Sequence, residues 1–361
     1  MVYRVIGLMS GSSLDGLDIA FVQLDDSGKK WSYQVVATEC VPYSTEMETQ
    51  LRNAENLSAL EYAQLHVQYG KWVANAVNAF IEKNQLWHQV QLIASHGHTT
   101  FHQPHLGFTG QLGCGATIAA LTGINTISDL RVMDIALGGQ GAPIVPMGEK
   151  LLFAGYQSYL NIGGIANISY TQNDAFIAYD VCAANAVLNY VTGKLGLPYD
   201  DGGQLAASGT VNKVVLEQLN QLPYYTQPFP KSLANNFARE QVLPLLAAET
   251  SIENALATYV EHIAYKIFLA LEPLSILTQS NLLVTGGGAF NTYLVQRISE
   301  MVLPLGITVH TPDADVVMYK EAVIMALLGL LRWREENTTL HSATGASRSS
   351  IGGAVWMGQM A

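Results

Sequence analysis

The feature that most constrains this chain is a supersecondary pattern that occurs twice, the copies about half the chain apart: a strand, a tight turn of small residues, and a returning strand. In the first copy Tyr3 to Leu8 is apolar and β-prone. Met9-Ser10-Gly11-Ser12-Ser13-Leu14-Asp15-Gly16 is crowded with turn formers, and strand character resumes from Leu17 to Leu24. In the second, Ser158 to Ile162 and Ile165 to Thr171 flank Gly163-Gly164. A third glycine turn, Gly286-Gly287-Gly288, follows the apolar strand Asn281 to Thr285 and precedes Ala289 to Met301, which reads as a helix. Apolar spacing near 3.6 predicts further helices over Ser58–Asn84, Asn185–Leu195, Asn254–Leu271 and Lys320–Arg334. Strands alternating with helices, and a hairpin repeated at mid-chain, predict an α/β protein of two similar lobes that close on a ligand in an interdomain cleft. Length agrees: 361 residues exceed the ~250–300 that a single core usually supports.

Composition removes several function classes. The 18 Lys and Arg against 29 Asp and Glu leave a net charge of -11, so there is no basic face for a nucleic acid. An anionic small ligand would have to be held by backbone amides and a few cations. No apolar run approaches the ~18–20 residues of a membrane span, and Ala322 to Leu331 reads as a buried helix. The start of the chain lacks the basic and apolar regions of a secretory signal. Cys40, Cys114 and Cys182 form no CxxC pair, which fits free thiols and a cytoplasmic location.

Turns of Gly and Ser let several N–H groups converge on one anion, because no Cβ blocks the approach. Two such hairpins facing each other would grip a polyphosphate, although neither the Walker spacing nor GxGxxG is present. Ordinary tight turns are the alternative reading. The cluster His96, His98, His102 and His105 invites a zinc-dependent hydrolase, since imidazoles two apart on a strand share a face. No HExxH accompanies it, and hydrogen-bonding side chains in a polar loop are the competing reading. Among the loop carboxylates Asp15, Asp18, Asp134, Asp180 and Glu321, Asp180 stands out. It follows the apolar strand Ala175 to Tyr179 and precedes Asn185, a residue suited to cap the next helix, so it is placed for general-base work. Arg131 and Asp134 precede a run, Gly138-Gly139-Gln140-Gly141, whose glycines suggest close approach of backbone to ligand. Cys182, two residues from Asp180, is either a modifiable thiol or a small buried filler.

Taken together, GLMSGSSLDGLD (7–18), SHGHTTFH (95–102), DIALGGQGAPIVP (134–146), LNIGGIANIS (160–169), LPYDDGG (197–203), QPFPKS (227–232), VTGGGAFN (284–291), KEAVIMALLG (320–329) and ATGASRSSIGGAVW (343–356) resemble the anhydro-N-acetylmuramic acid kinase family, of the sugar kinase/heat-shock/actin (ribonuclease H-like) fold. The resemblance implies one lobe from 1–133 plus 345–361 and a second from 134–344. It implies an ATP- and Mg²⁺-dependent enzyme that opens the 1,6-anhydro ring of a cell-wall amino sugar and phosphorylates O6, with homodimers common. Carried over by position, Asp180 is the base. Gly11, Ser12, Ser13, Leu14, Asp15, Gly16, Leu17 and Asp18 would hold phosphates, as would Gly163, Gly164 and Asn167. Gly286, Gly287, Gly288 and Asn291 would meet the adenosine end. His98, Arg131, Asp134, Gln140, Asn185 and Glu321 would lie near the sugar. The metal ligand is open among Asp15, Asp18 and Asp180. One departure concerns the base loop: the family commonly reads DTGPGN, whereas this chain has Asp180-Val181-Cys182-Ala183-Ala184-Asn185. Alanine resists positive φ, so a changed loop path and a non-catalytic sugar- or nucleotide-binding protein stand as the alternative. The run Ala314 to Tyr319 also departs from the family's acidic, glycine-containing form.

Overall fold

The computed structural model describes residues 1–11, 14–28, 30–172, 175–228, 231–234, 236–247, 249, 251–274 and 280–358, so Ser12 and Ser13 of the first turn lie outside the described residues. Two compact units emerge: Met1–Ala154 with Tyr319–Ala361, and Gly155–Met318. The first unit thus takes in 134–154 and 319–344, which the expected boundaries gave to the second lobe. The reason is local bonding. The fully buried Asp134 accepts the Gly141 N–H at 2.8 Å and the Thr344 hydroxyl at 2.7 Å, and the Gln140 N–H donates to the Thr344 carbonyl at 2.8 Å.

In the first unit β1 (Val2–Ser10), β2 (Gly16–Asp26) and β3 (Trp31–Pro42) form an antiparallel meander. β4 (Leu92–Gln103) runs parallel to β1, with β5 (Phe108–Leu112) folded back on it, and β6 (Thr126–Ser128) runs parallel to β4. The strand Ala354–Trp356 closes the other edge against β6, so the described residues make a seven-stranded sheet. Helix Ala59–Lys83 begins at a capping box of Ser58 and Glu61, which satisfies N–H groups left open at a helix start. Leu65, Tyr69, Val73, Val77 and Phe80 recur every three or four positions and bury one face in a core shared with Ile6, Leu8, Ile19, Phe21 and Ile93. Helix Ala314–Trp333 starts six residues before the predicted Lys320. It lies so close to β1 that a Cβ on Gly7 would overlap the Ala322 carbonyl and stand 2.7 Å from the Ala326 nitrogen.

In the second unit β7 (Ser158–Ile162), β8 (Ile165–Gln172) and β9 (Ala175–Ala183) repeat the meander. β10 (Ser280–Thr285) runs parallel to β7, and β11 (Ile307–His310) parallel to β10. The order β9-β8-β7-β10-β11 therefore copies β3-β2-β1-β4-β6 in sequence of connection and in strand sense, which is the duplication read from the hairpins. Helix Ile252–Leu271 buries Leu256, Tyr259, Ile263 and Ile267 in a core with Ile168, Tyr170, Leu282 and Val284. No helix among the described residues is long and apolar enough to cross a membrane.

Candidate active site

Strand register assembles a polar row in the second unit. Thr285 of β10 pairs with Asn161 of β7, Asn161 with Asn167 of β8, and Asn167 with Asp180 of β9. Residues directly opposite in a sheet share a face, so sequence positions more than a hundred apart fall into one line. Asn161 was not anticipated from the sequence. Its signal was available: in a hairpin of this length the residue two before Gly163 faces the residue three after Gly164.

The glycine turns adjoin this row. Gly286 has φ 81°, and a Cβ there would sit 2.5 Å from Asn161 Oδ1, so only glycine fits. A Cβ on Gly288 would overlap Ile162. Gly163 and Gly164 differ: neither has positive φ, and a Cβ would meet nothing nearer than 3.5 and 3.7 Å. Their lack of side chains leaves room rather than relieving a clash. Asn185 does not cap its helix as expected. The cap is Ala184, while the Asn185 amide donates to the Ile162 carbonyl at 3.1 Å and stands 3.7 Å from where a Gly287 Cβ would be. Asn185 therefore joins the two glycine turns. Asn291, expected at the adenosine, accepts the Leu294 N–H at 2.9 Å and caps helix Thr292–Val302.

Asp180 sits inside β9, three residues from its end, beside a bulge opposite Ala166 and Asn167. Its Oδ2 accepts the Leu233 N–H at 2.9 Å. Burial raises its carboxyl above the ordinary range, and the Leu233 bond works against that rise. The alanines behind it disturb nothing: Ala184 has φ -132°, and no residue from 181 to 185 lies in the positive-φ region. Cys182 is fully buried in the hydrophobic core, with its thiol pushed up to about 12 by burial, so it is the small filler and not a reactive group.

In the first unit Leu14 and Leu17 of the expected phosphate turn point into the core. Leu14 adopts φ 58°, a conformation unusual for a bulky residue, and Gly16 is crowded by the Val41 carbonyl and Cys40 Sγ. Asp18 faces Cys40 across β2 and β3. Burial lifts its carboxyl to about 6; the Cys40 hydrogen bond opposes this, and the charges of Asp15 and Glu321 add to it. Burial raises Glu321 as well, against the charges of Lys320 and Arg131. Lys320 and Glu149 form a buried ion pair at 3.0 Å that sequence reading missed.

The histidines are held by their own neighbours. Arg131 Nε donates to His96 Nε2 at 2.8 Å, so the His96 proton is on Nδ1, 2.8 Å from the Gly97 carbonyl. Burial, aided by the Arg131 charge, holds His96 down to about 3. His98 Nδ1 meets Ser10 Oγ at 2.9 Å, Ser10 meets Tyr43 at 2.7 Å, and Tyr43 meets Tyr69 at 2.7 Å. His102 Nδ1 lies 3.2 Å from Thr109 Oγ1. These partners displace the zinc reading: an imidazole nitrogen that accepts from a guanidinium has no lone pair left for a metal. Among the described residues no group of three His, Cys, Asp or Glu side chains could hold a metal ion. Arg131 also donates to the Gly141 carbonyl, and Asp134, with both oxygens bonded, anchors the glycine run from beneath; Gln140 is exposed upon it.

A family model for anhydro-N-acetylmuramic acid kinase matches residues 3–358. Proteins named anhydro-N-acetylmuramic acid kinase from Haemophilus influenzae and Coxiella burnetii are each 34% identical to this chain, covering 97% and 99% of it and 97% and 98% of themselves. One from Sulfurimonas denitrificans is 32% identical over 97% of this chain and 98% of its own. Among solved structures, the activator of 2-hydroxyisocaproyl-CoA dehydratase from Clostridium difficile aligns with TM-score 0.47 at 17% identity, over 92% of this chain and 96% of that one. A ROK family glucokinase from Streptomyces griseus aligns with TM-score 0.42 at 12% identity, over 91% and 99%.

Proposed function

We propose that this chain, which belongs to the anhydro-N-acetylmuramic acid kinase family, couples hydrolytic opening of its substrate's anhydro ring to phosphorylation of the oxygen released. It is an ATP-using carbohydrate kinase of cell-wall recycling, acting on 1,6-anhydro-N-acetylmuramic acid. In the proposed reaction Asp180 takes a proton from a water that attacks C1. The C1–O6 bond breaks with its electrons on O6, O6 attacks the γ-phosphorus of ATP, and ADP leaves. The product is N-acetylmuramic acid 6-phosphate. No separate acid is needed for the leaving oxygen, because phosphorus takes up its charge.

The observation that supports Asp180 is its environment. It closes the row Asn161–Asn167–Asp180, one oxygen is tied to the Leu233 N–H, and burial raises its basicity toward working pH. Gly163 and Gly164, with open space where side chains would be, suit a backbone approach by phosphate. Arg131 and Glu321 are the groups proposed for the sugar, with Asp134 fixing the Gly138–Gly141 loop and not touching the sugar.

Asp18 is the fitting carboxylate for Mg²⁺, with Asp15 beside it. Burial, with the charges of Asp15 and Glu321, raises its pKa, and a bound cation would relieve that disfavoured negative charge. Mg²⁺ typically takes one or two carboxylates and keeps waters and phosphate oxygens, so a three-ligand protein cage is not required. When bound it would neutralise charge on the transferring phosphoryl group. A cytoplasmic homodimer remains part of the reading, on thiol usage and family alone.

The test is turnover in ¹⁸O-labelled water with the anhydro sugar, ATP and Mg²⁺, read by mass spectrometry. Label at C1 of a phosphorylated, ring-opened product is the expected result; an unlabelled product overturns water attack. Asp180→Asn is expected to lower turnover at least about a hundredfold, the low end of general-base effects, while ATP still raises the melting temperature.

A further inference from the structure

We infer that Tyr224, Lys231 and Leu233 act together as a positioning strap for Asp180, and that Tyr224 is the residue that sets it. The inference rests on Asp180 being the base. β9 is the edge strand of its sheet, so without a partner the outward N–H and C=O of Asp180 would be left to solvent. The strap takes both: the Asp180 N–H donates to the Lys231 carbonyl at 3.3 Å, and the Tyr224 hydroxyl donates to the Asp180 carbonyl at 2.6 Å. A third bond reaches the side chain, where the Leu233 N–H holds Oδ2. These three residues thus fix the main chain of Asp180 on both polar groups and tie down one carboxylate oxygen, which orients the other.

The strap is itself pinned through Tyr224. The ring is buried and packs on Tyr225 and Phe237 at 5.6 and 5.5 Å between centroids. Lys231 Nζ sits 4.7 Å above it and donates to the Tyr224 carbonyl at 3.3 Å. QPFPKS, the motif that carries Lys231, otherwise has no role in the reaction as described. Burial holds the Tyr224 hydroxyl far above its ordinary range, so it stays a donor throughout.

Tyr224→Phe keeps the ring and deletes one hydroxyl. The expected result is a kcat lower by about five- to tenfold, the scale of one good hydrogen bond, with KM for sugar and ATP unchanged. A structural role alone would leave the pH profile unmoved. Here a slackened strap weakens the Leu233 N–H bond, burial of Asp180 is then less opposed, and the acid limb of kcat moves to higher pH. The titratable groups around Asp180 do not confuse this reading. Tyr179 and Cys182 on its own strand and Tyr224 on the strap stay neutral, and Lys231 and, on the helix behind Cys182, Lys266 (lowered to about 8) stay charged on the acid side. Wild-type kcat, or a lower kcat with an unmoved acid limb, in Tyr224→Phe overturns the strap while leaving a dead Asp180→Asn to support the base. Full activity in Asp180→Asn overturns the base assignment and the strap with it.

Discussion

At the residue scale, carboxylates that look alike in sequence are separated by what surrounds them. Asp134 has both oxygens bonded inside the first unit and no access to solvent, so it acts as an anchor. Asp180 has one oxygen tied to the Leu233 N–H and is only half-buried. Asp18 is lifted by burial and by its neighbours' charge. Lys320 and Glu149 add a case that spacing could not disclose, an ion pair 171 positions apart and almost without exposure. Removing one partner leaves the other charge buried, which outweighs the modest value of the pair itself. Lys320→Met is therefore expected to destabilise the protein by about 3–5 kcal/mol, and a second change, Glu149→Leu, to restore part of it. Urea midpoints of the two variants check this; a double variant weaker than Lys320→Met would contradict it.

At the element scale, glycines decide how closely helices and turns approach. The helix carrying Glu321 reaches β1 because Gly7 has no Cβ to meet the Ala322 carbonyl. Gly7→Ala forces backbone apart over the length of that contact. A loss of about 1–3 kcal/mol, the usual range for overpacking, is expected in chemical denaturation, together with a raised KM for the sugar if Glu321 shifts. An unchanged midpoint would mean that the helix can retreat freely. Gly163 and Gly164 give the contrast. Their surroundings would admit alanine, so Gly164→Ala is expected to leave the midpoint within about 0.5 kcal/mol of the wild type and to raise KM for ATP.

At the scale of the whole molecule, pH dependence collects the buried titratable groups of both units. His96, His98 and His262 are held neutral, with values near 3, 4 and 3. Because these folded values lie below the unfolded ~6.5, the unfolded chain binds more protons as pH falls, and stability is lost from about pH 6.5 downward, to about 4 for His98 and about 3 for His96 and His262. Asp18, raised to about 6, works in the opposite direction: its contribution is present at low pH and is lost as pH rises through 6. A comparison with His98→Gln separates the two. The variant should lose stability less steeply over that window, by about 1.4 kcal/mol per pH unit for one proton. Parallel curves for the two proteins would show that His98 takes up its proton without unfolding.

The sequence by itself determined the local and the repeated: both hairpins, the turn at Gly286–Gly288, the helix Ser58–Asn84 down to its caps, and the two-unit α/β plan. Those follow from turn chemistry and periodicity, which act over a few residues. The nine matching runs also carried the family, and the stretch Asp180–Asn185, set against the family's DTGPGN, is what singled out Asp180 for the base proposed here. Only the tertiary structure decided which residues meet. It put Asn161 in line with Asn167 and Asp180, gave Asn185 to the glycine turns, gave Asn291 to a helix start, and turned His96 toward Arg131 instead of a metal. It also moved 134–154 and 319–344 into the first unit through bonds such as Asp134 to Thr344. The physical reason is the same in each case. Register, burial and long-range hydrogen bonds are fixed when the whole chain packs, and a side chain's role depends on partners that no local window contains.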